Sequence, residues 1–381
     1  MNILVSGAGI AGLSTALDLG VRGHQVTVVE RAEHLRVNGS PIDVRGDAIG
    51  VTAEMGLLDG IRAKRVDMSE RTRFVDRDGT VIARVPNEEA NDSADDIELP
   101  REDLTNILAA ALPPNATIRF RESIDALTED GDGVDVRFTS GGSARFDLVV
   151  GADGLHSRVR KLVFGPESDY LRHLGLYVGL TELPAEDFRA DDIGKMYNYP
   201  GHMAGITGYH DKALGILLFR SEFLDYDYHD LDVQKRIVTD AFAGHDEWEI
   251  PRLLTAADAD PEFYFDSVSQ IHMPTWHRGR VVLVGDAGHC AALLSGRGTS
   301  LALTGGLFLA EELERAGGDH TVAFDHYEKR QRPYVEFAQS TVDDGGNLLV
   351  PATEEEITAR NTRLVSRPGK NAAGQGVSWS R

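Results

Sequence analysis

Residues 4–30, LVSGAGIAGLSTALDLGVRGHQVTVVE, decide the fold. An apolar strand runs into glycines at positions 7, 9 and 12. Apolar residues then recur at helical spacing, and a second strand, 25–29, ends on Glu30. In this GxGxxG, Gly7 permits a tight turn and Gly9 lets the backbone approach a pyrophosphate. Gly12 allows helix and strand to pack closely, and Ala8, Ile10 and Ala11 complete the turn. The helix that follows offers free N–H groups and a partial positive charge to an anion. Glu30 lies where a carboxylate binds ribose hydroxyls and repels a 2′-phosphate. Such a unit recognises the ADP half that NAD and FAD share, so by itself it leaves the choice between them open.

Two more stretches narrow it. In DLVVGADGLHSRVR a buried-looking strand runs into Gly151-Ala152-Asp153-Gly154 and then a helix carrying Arg158 and Arg160. In RVVLVGDAGHCAALLSGRGTSLAL the strand 281–284 delivers Asp286 to its carboxyl end, where ligands of open α/β sheets collect. The turn Gly296-Arg297-Gly298-Thr299-Ser300 then opens a helix. Its N–H groups suit the N1–C2=O edge of an isoalloxazine, where negative charge develops on reduction.

In this order and spacing the three stretches resemble the flavoprotein monooxygenases of the p-hydroxybenzoate hydroxylase type, the class A aromatic hydroxylases that include tetracycline-oxidising enzymes. The resemblance spans residues 1 to about 345: GAGIAG is similar to the family's ADP-binding motif, GADGLHSRVR to its DG motif, and GDAGH with SGRGTS to its GD motif. It implies an α/β fold in which a Rossmann-type FAD-binding domain (1–70, 97–169 and 276–345) surrounds a β-sheet substrate domain (71–96 and 170–275). A C-terminal helix and mobile tail, 346–381, follow. The implied cofactor is noncovalent FAD, with Glu30 on the adenosine ribose, Arg31 beside it and Arg101 along the cofactor. Asp286 is implied at the ribityl or pyrophosphate region, Asp153 in the DG turn, and Arg45 beside the flavin ring. Gly296, Gly298, Thr299 and Ser300 are implied at the flavin edge. The chain departs from the family with Leu293 where proline is usual and Ser300 where asparagine is common.

The implied reaction follows from a single dinucleotide unit, since no second GxGxxG is present for a resident nicotinamide. NAD(P)H would visit, and the reduced flavin would pass oxygen from O₂ to an aromatic or polycyclic phenolic molecule through a C4a-hydroperoxide. Three other readings stay open: an FAD dehydrogenase or reductase on the same fold, a non-catalytic nucleotide-sensing regulator, and a flavin halogenase. The halogenase reading is weakened because DEWEIP holds only one of that family's two tryptophans.

Bulk properties exclude other classes. The 39 basic and 61 acidic residues leave a net charge of −22, which repels nucleic acid and anionic membranes. The single cysteine, Cys290, forbids an internal disulfide, and scattered histidines give no metal motif. No apolar run approaches the roughly 20 residues of a membrane helix, and no leader precedes the first strand, so a cytoplasmic enzyme is expected. The sequence leaves the oligomeric state and any catalytic base unassigned.

Smaller features complete the reading. A helical region is expected near 47–64, a hairpin about Asp78-Gly79, and a helix after Pro100. Short strands are expected from 117 to 150, and helices near 231–243 and 323–342. NEEANDSADD reads as a solvated acidic loop without functional role. His289 is expected to be structural and Cys290 a buried, inert thiol. The strand-rich segment 170–275 supplies substrate-wall candidates: Tyr197, Tyr199, His202, Met203, Tyr209, Phe219, Phe263 and Phe265. Their competing role is to pack the sheet's own core.

Overall fold

The computed structural model describes residues 1–35, 40–66, 72–86, 92–184, 193–209 and 212–366. Its first layer is a six-stranded sheet in the order His277–Arg278, Val281–Leu283, Leu148–Gly151, Asn2–Ser6, Gln25–Glu30, Ala116–Phe120. All neighbouring pairs are parallel except the outermost, His277–Arg278 with Val281–Leu283. Ile3, Leu4, Val5, Leu148, Val149, Val150, Val281, Val282 and Leu283 are buried, as strands covered on both faces require. Helix Ile10–Val21 packs against helix Gly298–Arg315 so closely that a Cβ at Gly306 would stand 2.9 Å from Thr15 N. Ser14 Oγ also donates to Ala302 O across this contact, at 3.3 Å. The packing fixes the two helix N-termini, one at each glycine turn, relative to each other.

The second layer is a seven-stranded sheet in the order Tyr264–Ile271, Leu171–Leu183, Lys212–Arg220, His202–Tyr209, Lys195–Tyr199, Arg73–Val75, Val81–Arg84. The last two strands form the hairpin expected about Asp78-Gly79, with Gly79 at φ +80°. They join the sheet through a parallel pairing of Arg73–Val75 with Lys195–Tyr199. One sheet face packs under helices Leu231–Ala241 and Ile250–Ala259, through Leu217, Phe219, Val238, Leu253 and Phe265. The opposite face, through Val178, Met203, Leu218 and Val268, packs against Ala292, Leu294 and the helix Val342–Leu349. Final helix Glu354–Ser366 closes the sheet's edge: Leu364 joins Phe74, Ala83 and Val85, and the Arg360 guanidinium lies 3.5 Å from the Phe74 ring centre. The tail after Ser366 lies outside the described residues.

Three local expectations are refined. The 47–64 region is two helices, Asp47–Glu54 and Leu58–Arg62, separated at Gly56, whose φ of +71° ends the first. Of the strands between 116 and 151, only the first and last enter the central sheet; Ile124–Glu129, Val134–Phe138 and Ser143–Phe146 form a separate antiparallel sheet. Helix Ile250–Ala259 stands where a strand-rich reading gave none. Its signals were Pro251 in the first turn and buried Ile250, Leu253 and Ala257 at helical spacing.

Candidate active site

Parallel pairing brings the carboxyl ends of strands Asn2–Ser6, Leu148–Gly151 and Val281–Leu283 to one end of the sheet, so the first two glycine turns meet the Gly285–Asp286 bend. A Cβ at Gly7 (φ +101°) would stand 2.5 Å from Ala152 O, and one at Gly12 would stand 1.9 Å from Gly7 O. A Cβ at Gly9 would meet nothing within 4 Å. Two glycines are thus required by protein packing, while the third borders open space at the N-terminus of helix Ile10–Val21. That is the arrangement a pyrophosphate needs. Glu30, at the end of its strand, accepts the N–H groups of Ala8 and Ala32, each at 2.9 Å, and so orients the glycine turn. Arg31 is exposed beside it.

Asp286 follows Gly285, which takes φ +63° to turn the chain into a single helical turn. Its side chain is exposed, yet protein surrounds it densely enough that lost hydration raises the carboxyl pKa, with Arg101 opposing the rise. A Cβ at the preceding Gly285 would stand 2.7 Å from the Ala11 Cβ, so Asp286 sits beside the first glycine turn. Asp153 differs: its carboxylate accepts Ser157 Oγ at 2.5 Å and Val159 N–H at 3.1 Å, and burial raises its pKa. It therefore builds the turn from within. Arg160, fully buried, donates to Ala287 O at 2.9 Å and to Glu167 at 2.6 Å, joining the second glycine turn to the bend at Gly285–Asp286. Nothing in the local pattern singles this arginine out: its helix, Arg158–Val163, buries only Val159 and Arg160, while Arg158, Lys161 and Leu162 are exposed.

At the third turn Gly296 adopts φ +62°, and a Cβ at Gly298 would meet nothing within 4 Å. Helix Gly298–Arg315 starts here with Thr299 buried, so its first N–H groups lack intrahelical acceptors. Ser300 Oγ accepts the backbone N–H of Arg45 at 2.9 Å, while the Arg45 guanidinium pairs with Asp43 at 2.9 Å. Burial pushes the Asp43 carboxyl up to about 6 against the pull of Arg45. Ala292, a non-glycine residue at φ +74°, presents Leu293, which is 48% exposed at the turn. His289 is buried between Trp276 and Tyr327, and desolvation lowers its pKa to about 3. The Cys290 thiol is buried and its pKa is raised by burial. Both suit structural roles.

The substrate-wall candidates divide by strand parity. Met203 lies on the face toward Ala292 and Leu294. Tyr197, Tyr199, Phe219, Phe263 and Phe265 lie on the opposite face, in the core beneath the two helices. His202 joins them there, its ring 4.4 Å from that of Tyr199 and 5.3 Å from that of Phe242. The division has a simple cause: alternate residues of a strand point to opposite faces, and the aromatic residues occupy the helix-covered one. Tyr209 has its side chain outside the described residues.

The family described as "FAD binding domain" matches residues 1–207. The chain belongs to the class A flavoprotein monooxygenases. This FAD-dependent monooxygenase is 36% identical over 365 residues to a flavin-dependent monooxygenase of an unknown prokaryotic organism, covering 94% of each chain. It is 40% identical over 361 residues to an uncharacterized protein of Mycobacterium tuberculosis, covering 93% of this chain and 96% of the other. The crystal structure of tetracycline destructase Tet(51) shares its fold with a TM-score of 0.83 and 31% identity, over 95% of both chains. Among the described residues of the monooxygenase, no helix is long and apolar enough to cross a membrane, and no group of His, Cys, Asp or Glu is arranged to hold a metal.

Proposed function

We propose that the enzyme hydroxylates a planar, electron-rich aromatic molecule of the polycyclic phenol class, with NAD(P)H and O₂ as co-substrates. One observation carries this reading: a row of residues crosses four strands on the sheet face toward the third glycine turn. Leu180 is opposite Ile216, Ile216 opposite Gly205, and Gly205 opposite Met196. The side chains of Leu180, Ile216 and Met196 are only partly covered, and they belong to the cluster that contains Ala292 and Leu294. They form a flat apolar floor beside the cofactor cleft. Dispersion contact with such a floor grows with ring area and needs no ionic partner. Likeness to a tetracycline destructase supports a substrate of several fused rings.

In this reading Gly7, Ala8, Gly9, Ile10, Ala11 and Gly12 hold the pyrophosphate against the first helix. Glu30 takes the adenosine ribose with Arg31 beside it, and Asp286 with Arg101 takes the ribityl region. Gly296, Gly298, Thr299, Ser300 and Arg45 form the flavin edge, and Asp153 shapes the turn between them. FAD bound there supplies reduction by NAD(P)H and activation of O₂. The chain's own work is to lay the aromatic ring on the floor, to exclude water with Leu180, Ile216, Met196 and Met203, and to offer helix N–H groups to negative charge at the flavin edge.

The test is oxygen-isotope labelling with the purified enzyme. NAD(P)H oxidation is slow alone and accelerates with a suitable phenol, and one atom from ¹⁸O₂ enters the product. Anaerobic conversion with flavin reduction and no label would instead make the enzyme a dehydrogenase.

A further inference from the structure

The acidic stretch NEEANDSADD, read from sequence as merely solvated, reaches the flavin-edge turn. Residues 87–91 lie outside the described residues, but Asp92–Asp96 are placed. The Asp92 carboxylate pairs with the Arg297 guanidinium at 2.6 Å. Arg297 is the residue between Gly296 and Gly298 and caps the N-terminus of helix Gly298–Arg315. Its guanidinium also lies 4.6 Å from the ring centre of Phe337, on helix His320–Ser340, and its buried Nε has no partner among the described residues. Asp92 is itself fixed: Asp96, only 4% exposed, accepts the N–H groups of Asp92 (2.8 Å) and Ser93 (3.3 Å) and the Ser93 hydroxyl (2.9 Å). This knot lies on the connection between strand Val81–Arg84 of the substrate sheet and strand Ile97–Leu99, which leads to Arg101.

A cation at a helix N-terminus adds to the positive end of the helix dipole instead of offsetting it. Uncompensated, Arg297 would both strain the cap and raise the positive potential at the turn. We propose that Asp92 is a positioning residue that clamps Arg297 and cancels its charge, so that the connection from the substrate sheet sets the electrostatic potential at the flavin edge. The inference rests on the flavin edge facing the Gly296–Ser300 turn. Its chemical consequence is in the cofactor's redox balance. Two-electron reduction of FAD by NAD(P)H leaves negative charge at the flavin edge, which a free Arg297 would stabilise and a free Asp92 would oppose.

Reduction potentials of the FAD-loaded variants test this. Asp92→Asn raises the midpoint potential, Arg297→Gln lowers it, and the double variant returns close to wild type, because each single change leaves one charge uncancelled. Both single shifts shrink at high salt, since Asp92 is exposed. Shifts of the same sign, or none, would overturn the proposal; a purely structural clamp would change melting temperature without this sign reversal. Gly298→Val separates the proposal from the reading beneath it. Its new Cβ meets no protein atom, so it weakens FAD binding only if the cofactor faces this turn. Unchanged FAD affinity in Gly298→Val sinks the flavin-edge reading. Weakened affinity, together with unshifted potentials in the Asp92 and Arg297 variants, sinks the clamp alone.

Discussion

Gly9 and Gly12 look equivalent in the motif, but the structure makes them different experiments. At Gly12 a side chain collides with the backbone oxygen of Gly7, so Gly12→Ala must displace the strand–helix junction. At Gly9 the backbone is extended (φ −77°, ψ −176°), which any residue adopts, and the added atoms enter open space. Gly9→Val therefore leaves the apoprotein's melting temperature close to wild type while abolishing FAD retention, read by absorbance near the flavin band after desalting. Gly12→Ala lowers the melting temperature even without cofactor. Loss of folding in both, or retained FAD in Gly9→Val, would show that Gly9 does not border the cofactor. These glycines were legible in the sequence because their constraint is local. Asp153 was legible as part of a turn, but not as the residue whose carboxylate builds it, since Ser157 and Val159 offer no distinguishing pattern by themselves.

Among the elements, the seven-stranded sheet marks where sequence reading stops. Alternation identifies two faces in each strand, but both faces here are apolar, and nothing local says which one meets the third glycine turn. The answer lies in long-range packing of Ala292, Leu294 and Val342 against Val178 and Met203. Phe219 and Ile216, three residues apart on one strand, then predict opposite phenotypes. Phe219 is 3% exposed in the helix-covered core, and Phe219→Ala costs about 3–5 kcal/mol of stability with FAD affinity unchanged. Ile216→Ala costs less stability and raises KM for the aromatic substrate roughly tenfold, from lost apolar contact. Denaturant unfolding and steady-state kinetics on both variants check the pair. A KM effect larger in Phe219→Ala than in Ile216→Ala would move the substrate to the other face.

At the scale of the whole molecule, the sheet and the cofactor turns are held together by charge. His156, in the second glycine turn, has Nδ1 2.8 Å from Glu167 and Nε2 3.3 Å from Asp266, and Asp266 belongs to the sheet strand Tyr264–Ile271. Its ring stacks on Tyr228 at 4.2 Å, and Glu167 in turn pairs with the buried Arg160. Burial works to lower the His156 pKa, but hydrogen bonds to Asp266 and Glu167 outweigh it and raise the value to about 9. A folded-state pKa above the unfolded one means that His156 contributes stability in full below about 6.5, the ordinary histidine value, and loses it as pH rises toward about 9. Wild-type melting temperature should therefore fall between those limits. In His156→Gln, which keeps hydrogen-bonding capacity without the charge, this component of the fall disappears and stability at pH 6 is lower. Melting curves at pH 6 to 9.5 measure both. The position of the histidine beside a GADG turn was readable in sequence; its two carboxylates were not, because Asp266 is brought to it only by the docking of the sheet on the cofactor domain. An unaltered pH slope in His156→Gln would mean that the imidazole is neutral there and that Arg160 with Glu167 alone carries the junction.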